Sequence, residues 1–588
     1  METIAVEKPD TKIARPPWPA VTLAQANAIL TGPGSAFEME AMEIRGTQMR
    51  TWKHAPRSNR EVVASARAHD ERIFLVNGDE TVSFNAFHRA VAALARDLRG
   101  RGLRKGDRVV IAMRNLPEWV VAFYAASVAG AIATPLNAWW TGPELLYGLK
   151  DSRARFAFVD PERYERIAPS LDQCTELESI YVSRAGKADG TKTIQLETVI
   201  GNPSDWNGLP DADLPDVEIA PDDDATIFYT SGTTGSPKGA LATHRNMLSN
   251  ITGAAFSAAR TFVRRGEPIP APDPAAQNAV LITVPFFHVT GCFAILSPVL
   301  NAGSKLVMMR RWDTEEAMRL IERERVTAIT AVPTIALQLV EHPAREKYDL
   351  SSLVGLGYGG ASAPPDLMRR INATMPQTAA GHGWGMTETS ALALGHSSED
   401  YANRPTSCGP SLPVGDIKIM HPDSSAELPI GEVGELWFKG PQVVKEYWNK
   451  PDATQQTFID GWVKTGDLAR VDEEGFCYIV DRAKDILIRG GENIYCVEVE
   501  NVLYDHPAVM DAALVGRPHR LLGEEPVGFV TLKEDSQASA QELRAFVAER
   551  LASFKVPAEI VIQREPLPRN ANGKILKPEL RNSLTQAA

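Results

Sequence analysis

Residues Thr226 to Ala240 read TIFYTSGTTGSPKGA, an apolar run that passes into a loop of glycine, serine and threonine with a lysine near its end. Backbone N–H groups left open by Gly232, Gly235 and Gly239, hydroxyls from Thr230, Ser231, Thr233 and Thr234, and the ammonium of Lys238 together suit a polyphosphate. The amides and hydroxyls are short-range donors, and the lysine supplies charge. This is not a Walker A loop, because Pro237 stands where that pattern has the glycine before its lysine. A solvated linker is the bland alternative, but a linker rarely follows an apolar strand and crowds hydroxyl residues around its glycines.

Such a loop needs a sheet behind it. From about residue 60, amphipathic stretches (EVVASARAH, FHRAVAALARDLRGRG) alternate with short apolar runs (RVVIAM, RFAFVD, ESIYVS), the signature of an α/β fold with a largely buried sheet. Proline-rich residues 266–277 read as an exposed loop between a helix and the strand NAVLITVPFF. A second alternation follows through KLVMM, EEAMRLIERERV, TAITAVP and LVGLGYGG. After Gly409 the segments turn β-rich (DIKIMHPD, GEVGELWFKG, GFCYIVDR), and from Ile486 a further alternation predicts a compact α+β domain.

Composition narrows the class. With 588 residues, 44% hydrophobic and 23% charged, the chain is too apolar for disorder. Its net charge of -12 gives no general footprint for nucleic acid. Five cysteines lie far apart with no CxxC pair, which argues for a reduced, cytoplasmic setting without a disulfide framework or zinc cluster. The start, METIAVEKPDTKIARPPWP, has charges and prolines where a signal peptide needs an apolar stretch. Trp119 to Leu136 is uncharged and just reaches the roughly 18 residues at which a membrane helix must be considered. Its alanines, Gly130 and Pro135 instead predict a buried helix turning into a buried strand at Gly130, so no transmembrane segment is expected.

At the phosphate loop the chain resembles the adenylate-forming superfamily, which includes acyl-CoA synthetases, luciferases and the adenylation domains of peptide synthetases. The match continues in order through YGGASAPP (Tyr358 to Pro365), GWGMTE (Gly383 to Glu388), TGD (Thr465 to Asp467), DRAKD (Asp481 to Asp485), GGEN (Gly490 to Asn493) and PRNANGK (Pro568 to Lys574). The resemblance implies two half-reactions: a carboxylate attacks the α-phosphate of ATP to give an acyl adenylate and pyrophosphate, and a thiol then displaces AMP. Preorganised cations and N–H donors must stabilise the crowded negative charge of the first step.

By this resemblance Glu388 would hold Mg2+ and Thr387 would contact the α-phosphate. Asp467 would accept hydrogen bonds from the ribose hydroxyls, with Arg482 reinforcing that end. Gly360 and Ala361 would wall the adenine slot opposite the Trp384 ring. Lys574 would be the adenylation lysine, and Lys484 the hinge. The implied fold is α/β: a large N-terminal domain of α/β subdomains plus a small β-rich subdomain, followed by a mobile α+β C-terminal domain. The expected boundaries are an N-terminal extension over 1–55, a large domain over 56–483 with the β-rich part at about 409–480, and the C-terminal domain over 484–588.

Gly490 and Gly491 allow close backbone approach along a pantetheine path. Only 14 residues follow Lys574, so no fused carrier domain is expected. CoA is therefore the expected acceptor; a separate carrier protein, a luciferase-type oxidase and a nucleotide-binding protein without catalysis are the alternatives. For the acid, PFFHVTGCF (Pro285 to Phe293) lies where the family lines its carboxylate pocket and carries no acidic group to pair an α-amine. A fatty or otherwise hydrophobic acid is expected, with His288, Gly291, Gly357 and Tyr358 around it. His288 either lines that pocket or is a packed structural histidine. Tyr358, Ser362 and Cys496 depart from residues common in the family, and none of them removes a catalytic group. Monomer and homodimer both remain open.

Overall fold

The computed structural model describes residues 18–586 apart from 186–189, 191, 231–236, 272, 274, 360–364, 423, 425, 491, 534–535 and 571–572. Two eight-stranded sheets form the large domain. The first is centred on parallel strands Arg108–Ala112, Ile132–Pro135 and Ala154–Val159, and carries Asp224–Thr230 beside Ile132–Pro135. Lys238–Thr243 returns antiparallel to Asp224–Thr230, so that Thr230 and Lys238 face each other across residues 231–236.

In the second sheet, parallel strands Ala279–Ile282, Lys305–Met308, Ala328–Ala331, Gly355–Gly359 and Ala379–Met386 are closed by antiparallel edges. The expected alternation is observed, and the loop over 266–277 lies between helix His244–Arg264 and strand Ala279–Ile282.

The helix Pro117–Val128 is buried at every position, and Gly130 (φ 83°) turns it into strand Ile132–Pro135. Trp119 packs against Phe286 at 4.9 Å between ring centroids, and Phe87 meets Tyr124 edge-on at 5.7 Å. Apart from Glu118, which pairs with Arg184 at 2.8 Å, the apolarity of this segment thus reflects contact with protein on all sides. No helix among the described residues is long and apolar enough to cross a membrane.

Residues 18–55 contribute helix Leu23–Leu30 and the hairpin Met39–Ile44 with Thr47–Trp52. Leu30 and Trp52 share a cluster with Phe256, Leu412 and Val414, which fastens this segment to helix His244–Arg264. Beneath it, the buried Arg264 guanidinium pairs with Asp400 at 2.7 Å and Glu474 at 2.8 Å and donates to the Val21 carbonyl. A buried charge is tolerated only with such partners.

A six-stranded antiparallel sheet follows, from Gly409–Pro410 to Phe476–Arg482. The C-terminal domain is a five-stranded sheet built on the long pair Val509–His519 and Gly523–Leu532, with helices Cys496–Tyr504 and Ala540–Ala548 over its core.

Candidate active site

The end of the site expected to hold the ribose is assembled from two sheets. Strand Trp462–Val471 is kinked at Gly466 (φ 69°), whose N–H donates to Glu435 Oε1 at 3.2 Å. Just beyond the kink, Asp467 is buried and lies in register with Arg482 on the neighbouring strand. Arg482 Nε stands 3.1 Å from Asp467 Oδ1, and Trp384 Nε1 donates to Asp467 Oδ2 at 2.8 Å. The Trp384 ring, which the resemblance implies beside adenine, is oriented through its indole N–H, which also ties the second sheet to the β-rich one.

Thr387 and Glu388 sit on a tight turn, Thr387–Thr389, followed by Ser390 at φ 50° and Ala391 at φ 85°. Left-handed non-glycine residues cost of order 1–3 kcal/mol each, so the surroundings must enforce them. They do: Asn250 donates to the Ser390 carbonyl at 2.5 Å and accepts from Leu392 N at 3.0 Å. Gly385 is required here, since a Cβ would lie 1.6 Å from the Ala391 carbonyl oxygen.

Burial pushes the Glu388 carboxyl up, opposed by the hydrogen bond from Tyr447 and by the charges of Arg482 and Lys238. The Tyr447 hydroxyl donates to Glu388 Oε1 at 2.5 Å, and Lys238 Nζ lies over the Tyr447 ring at 5.0 Å. Tyr447 and Asn250 thus belong to the site although neither falls in a recognisable motif. Glu388 fits Mg2+ as a single hard ligand to an ion that keeps most of its water. Among the described residues no cluster of three His, Cys, Asp or Glu side chains forms an all-protein metal cage.

From the C-terminal domain comes Lys574, in a loop closed by Asn570 N to Lys574 O at 2.9 Å and Lys574 N to Asn570 Oδ1 at 3.0 Å. It retains some open surface, yet protein surrounds it closely enough that burial, then Arg482, lower its pKa to about 8 against the opposing pull of Asp467 and Asp485. A lysine with that pKa is charged below pH 8 and neutral above it. For the free enzyme, kcat/KM of the adenylation half-reaction is expected to fall as pH rises through about 8. A profile flat from pH 7 to 9.5, read by pyrophosphate exchange, would contradict a charged Lys574 in this role.

Lys484 is exposed over much of its surface, and partial burial, followed by Arg482, lowers its pKa from the ordinary lysine value. Gly490 adopts φ 62° at the end of Leu487–Arg489. Ser231, Gly232, Thr233, Thr234, Gly235, Gly360, Ala361 and Gly491 lie outside the described residues.

The expected acyl-pocket residues separate. Along Gly355–Gly359 the side chains alternate, so Leu356 and Tyr358 point into the core and the glycines point the other way. Tyr358 is 2% exposed and its hydroxyl donates to that of Tyr401 at 2.7 Å, which removes it from the face that Gly357 presents. Gly291 is needed for close backbone approach, since a Cβ there would lie 2.3 Å from the Pro285 carbonyl oxygen. His288 is enclosed, and burial alone lowers its pKa to about 4, so it is neutral at physiological pH.

Between the domains, a cavity of about 410 Å³ is lined by Val284, Phe287, Trp312, Val332, Ile335 and Gly573, among others. It reaches the loop that carries Lys574.

Residues 62–448 match the AMP-binding enzyme family, and residues 498–574 match the AMP-binding enzyme C-terminal domain. A feruloyl-CoA synthase of Amycolatopsis sp. is 33% identical over 519 residues, 88% of this chain and 97% of that protein. A long-chain-fatty-acid–CoA ligase of Bacillus subtilis is 33% identical over 522 residues, 84% of this chain and 88% of that protein. Among solved structures, o-succinylbenzoate coenzyme A synthetase from Bacillus subtilis in complex with ATP and magnesium ion superposes with a TM-score of 0.72 at 31% identity, covering 89% of this chain and 99% of that one. The chain belongs to the AMP-binding enzymes, the adenylate-forming superfamily of acyl-CoA synthetases.

Proposed function

We propose that this enzyme activates a fatty or other hydrophobic carboxylic acid and passes the acyl group to CoA. The coarser chemistry follows from its family: an acid–CoA ligase that forms an acyl adenylate, using ATP, Mg2+ and CoA. Thr387, Lys238 and Lys574 would bind and neutralise the reacting phosphate, and Asp467 with Arg482 would hold the ribose. Mg2+, when bound at Glu388, supplies charge neutralisation to the departing pyrophosphate.

The acid class rests on one observation. Thr330, Gly357 and Gly381 lie in register across three strands, flanked by the equally small rows Ala328–Gly355–Ala379 and Gly359–Gly383. At Gly357 a Cβ would meet nothing nearer than Thr330 Oγ1 at 3.5 Å. There is room at Gly355 and Gly357, where a Cβ would meet nothing nearer than 3.5 Å, and none of these rows carries a charged residue to pair with an amine or a second carboxylate. Apolar walls discriminate by only about 1–3 kcal/mol per methylene, which leaves several chain lengths acceptable. The acceptor reading is supported by Arg114, Arg310, Arg311 and Arg569 around the interdomain cavity, where no carboxylate lines the wall among the described residues. A phosphorylated free thiol suits such a rim.

The deciding experiment is AMP release, with and without CoA, across short, medium, long-chain, aromatic and amino acids. CoA-dependent release with apolar acids at least tenfold above amino acids is expected. Release that is independent of CoA, or a preference for a zwitterionic acid, would overturn this reading.

A further inference from the structure

The C-terminal domain rests on the large domain at both ends of one helix, Pro333–Glu341. Just before its first turn, Val332 packs against the lysine loop: Gly573 has φ 75°, and a Cβ there would lie 3.0 Å from Val332 Cγ2. At its last residue, Glu341 Oε1 stands 3.1 Å from Nζ of Lys533, which follows strand Gly523–Leu532 of the C-terminal sheet. The same oxygen pairs with Arg370 on helix Pro365–Thr374, the helix that follows residues 360–364. One carboxylate oxygen therefore joins the docking helix, the helix behind the expected adenine loop and the C-terminal domain.

The geometry matters because the two contacts do different jobs. Val332 against Gly573 is an apolar point contact, which by itself resists rotation of the small domain only weakly. The ion pair lies roughly 13 Å away along the helix, and a second anchor at that distance opposes rotation about the first. With side-chain exposures of 21% for Lys533 and 25% for Glu341, the pair is partly shielded from solvent. It is therefore less screened than an open surface pair.

We propose that Glu341 is a positioning residue for Lys574: by holding Lys533 and Arg370 together, it fixes the C-terminal domain where Lys574 faces Asp467 and Arg482. The activity readout of this inference rests on the function proposed above; the structural readout does not. The full-length chain is tested as Glu341→Gln and Lys533→Met, with Lys533→Arg as the conservative variant. Amide hydrogen exchange without substrates comes first: residues 566–576 are expected to exchange at least threefold faster in Glu341→Gln and Lys533→Met, and at the wild-type rate in Lys533→Arg.

Acid-dependent ATP–pyrophosphate exchange is then expected to lose three- to tenfold in kcat, with KM for ATP within twofold. Thioester formation from a supplied acyl adenylate should not slow, and the double variant should fall no further than either single one. Wild-type amide exchange in both variants, equal losses in the two half-reactions, or additive losses would each overturn the proposal. A wild-type chain without pyrophosphate exchange on any acid would overturn the functional reading instead, and the amide-exchange result would still decide this one.

Discussion

Replacing Lys574 with alanine is expected to lower acyl-adenylate formation by about 10²–10³-fold, the usual cost of losing one preorganised group that stabilises transition-state charge. Thioester formation from a supplied acyl adenylate should change by less than about threefold. The asymmetry follows from placement. Lys574 stands on the C-terminal domain in a closed loop beside Asp467 and Arg482, so its reach toward the expected nucleotide end depends on how that domain is placed. The phosphate and ribose groups of the large domain remain in place without it. Equal loss of both half-reactions would show that Lys574 serves the fold or both steps, and the division of labour would fail.

Asp467→Asn should have the second largest effect, and it should be double. The substitution removes a charged acceptor from the ribose end, where each hydrogen bond to a charged group is worth about 1.5–3 kcal/mol, so kcat/KM for ATP falls about 10²-fold. It also removes one of the negative charges that hold up the pKa of Lys574, already lowered to about 8. With less opposing charge, Lys574 loses its proton at lower pH, and the alkaline fall in adenylation moves in the acid direction. An ATP defect with an unmoved alkaline limb would show that the carboxylate and the lysine act independently. Trp384 and Arg482, which both bond this carboxylate, make retained geometry a necessary control, read by tryptophan fluorescence.

Much of this organisation is legible in the sequence because strands, helices and turn residues leave local marks. The alternation of apolar runs and amphipathic stretches gives both large sheets, and motif order places Asp467, Glu388 and Lys574 in one site although they are far apart in the chain. Tyr447 leaves no such mark. It lies on the two-residue strand Glu446–Tyr447, and only the pairing of that strand with Lys238–Thr243 brings it under Lys238 and against Glu388. Asn250 is equally silent: a polar residue in the middle of helix His244–Arg264 is explained only by the strained turn it braces. Tyr358 misleads for a simpler reason. Its motif neighbours Gly357 and Gly359 point one way, and the period of a strand sends Tyr358 to the opposite face.

Helix Pro117–Val128 carries a consequence for how the protein is made. Phe87, which covers one side of Tyr124, is already synthesised when this helix leaves the ribosome, but Phe286 and Ser297, which cover Trp119 and the Tyr124 hydroxyl, are not. Roughly 170 residues separate Trp119 from Phe286, so at ~5–20 residues per second the side of the helix that meets Phe286 and Ser297 waits about 8–34 s for its partners. Slow translation between the two sheets is therefore expected to lower the yield of folded protein rather than the activity of what folds.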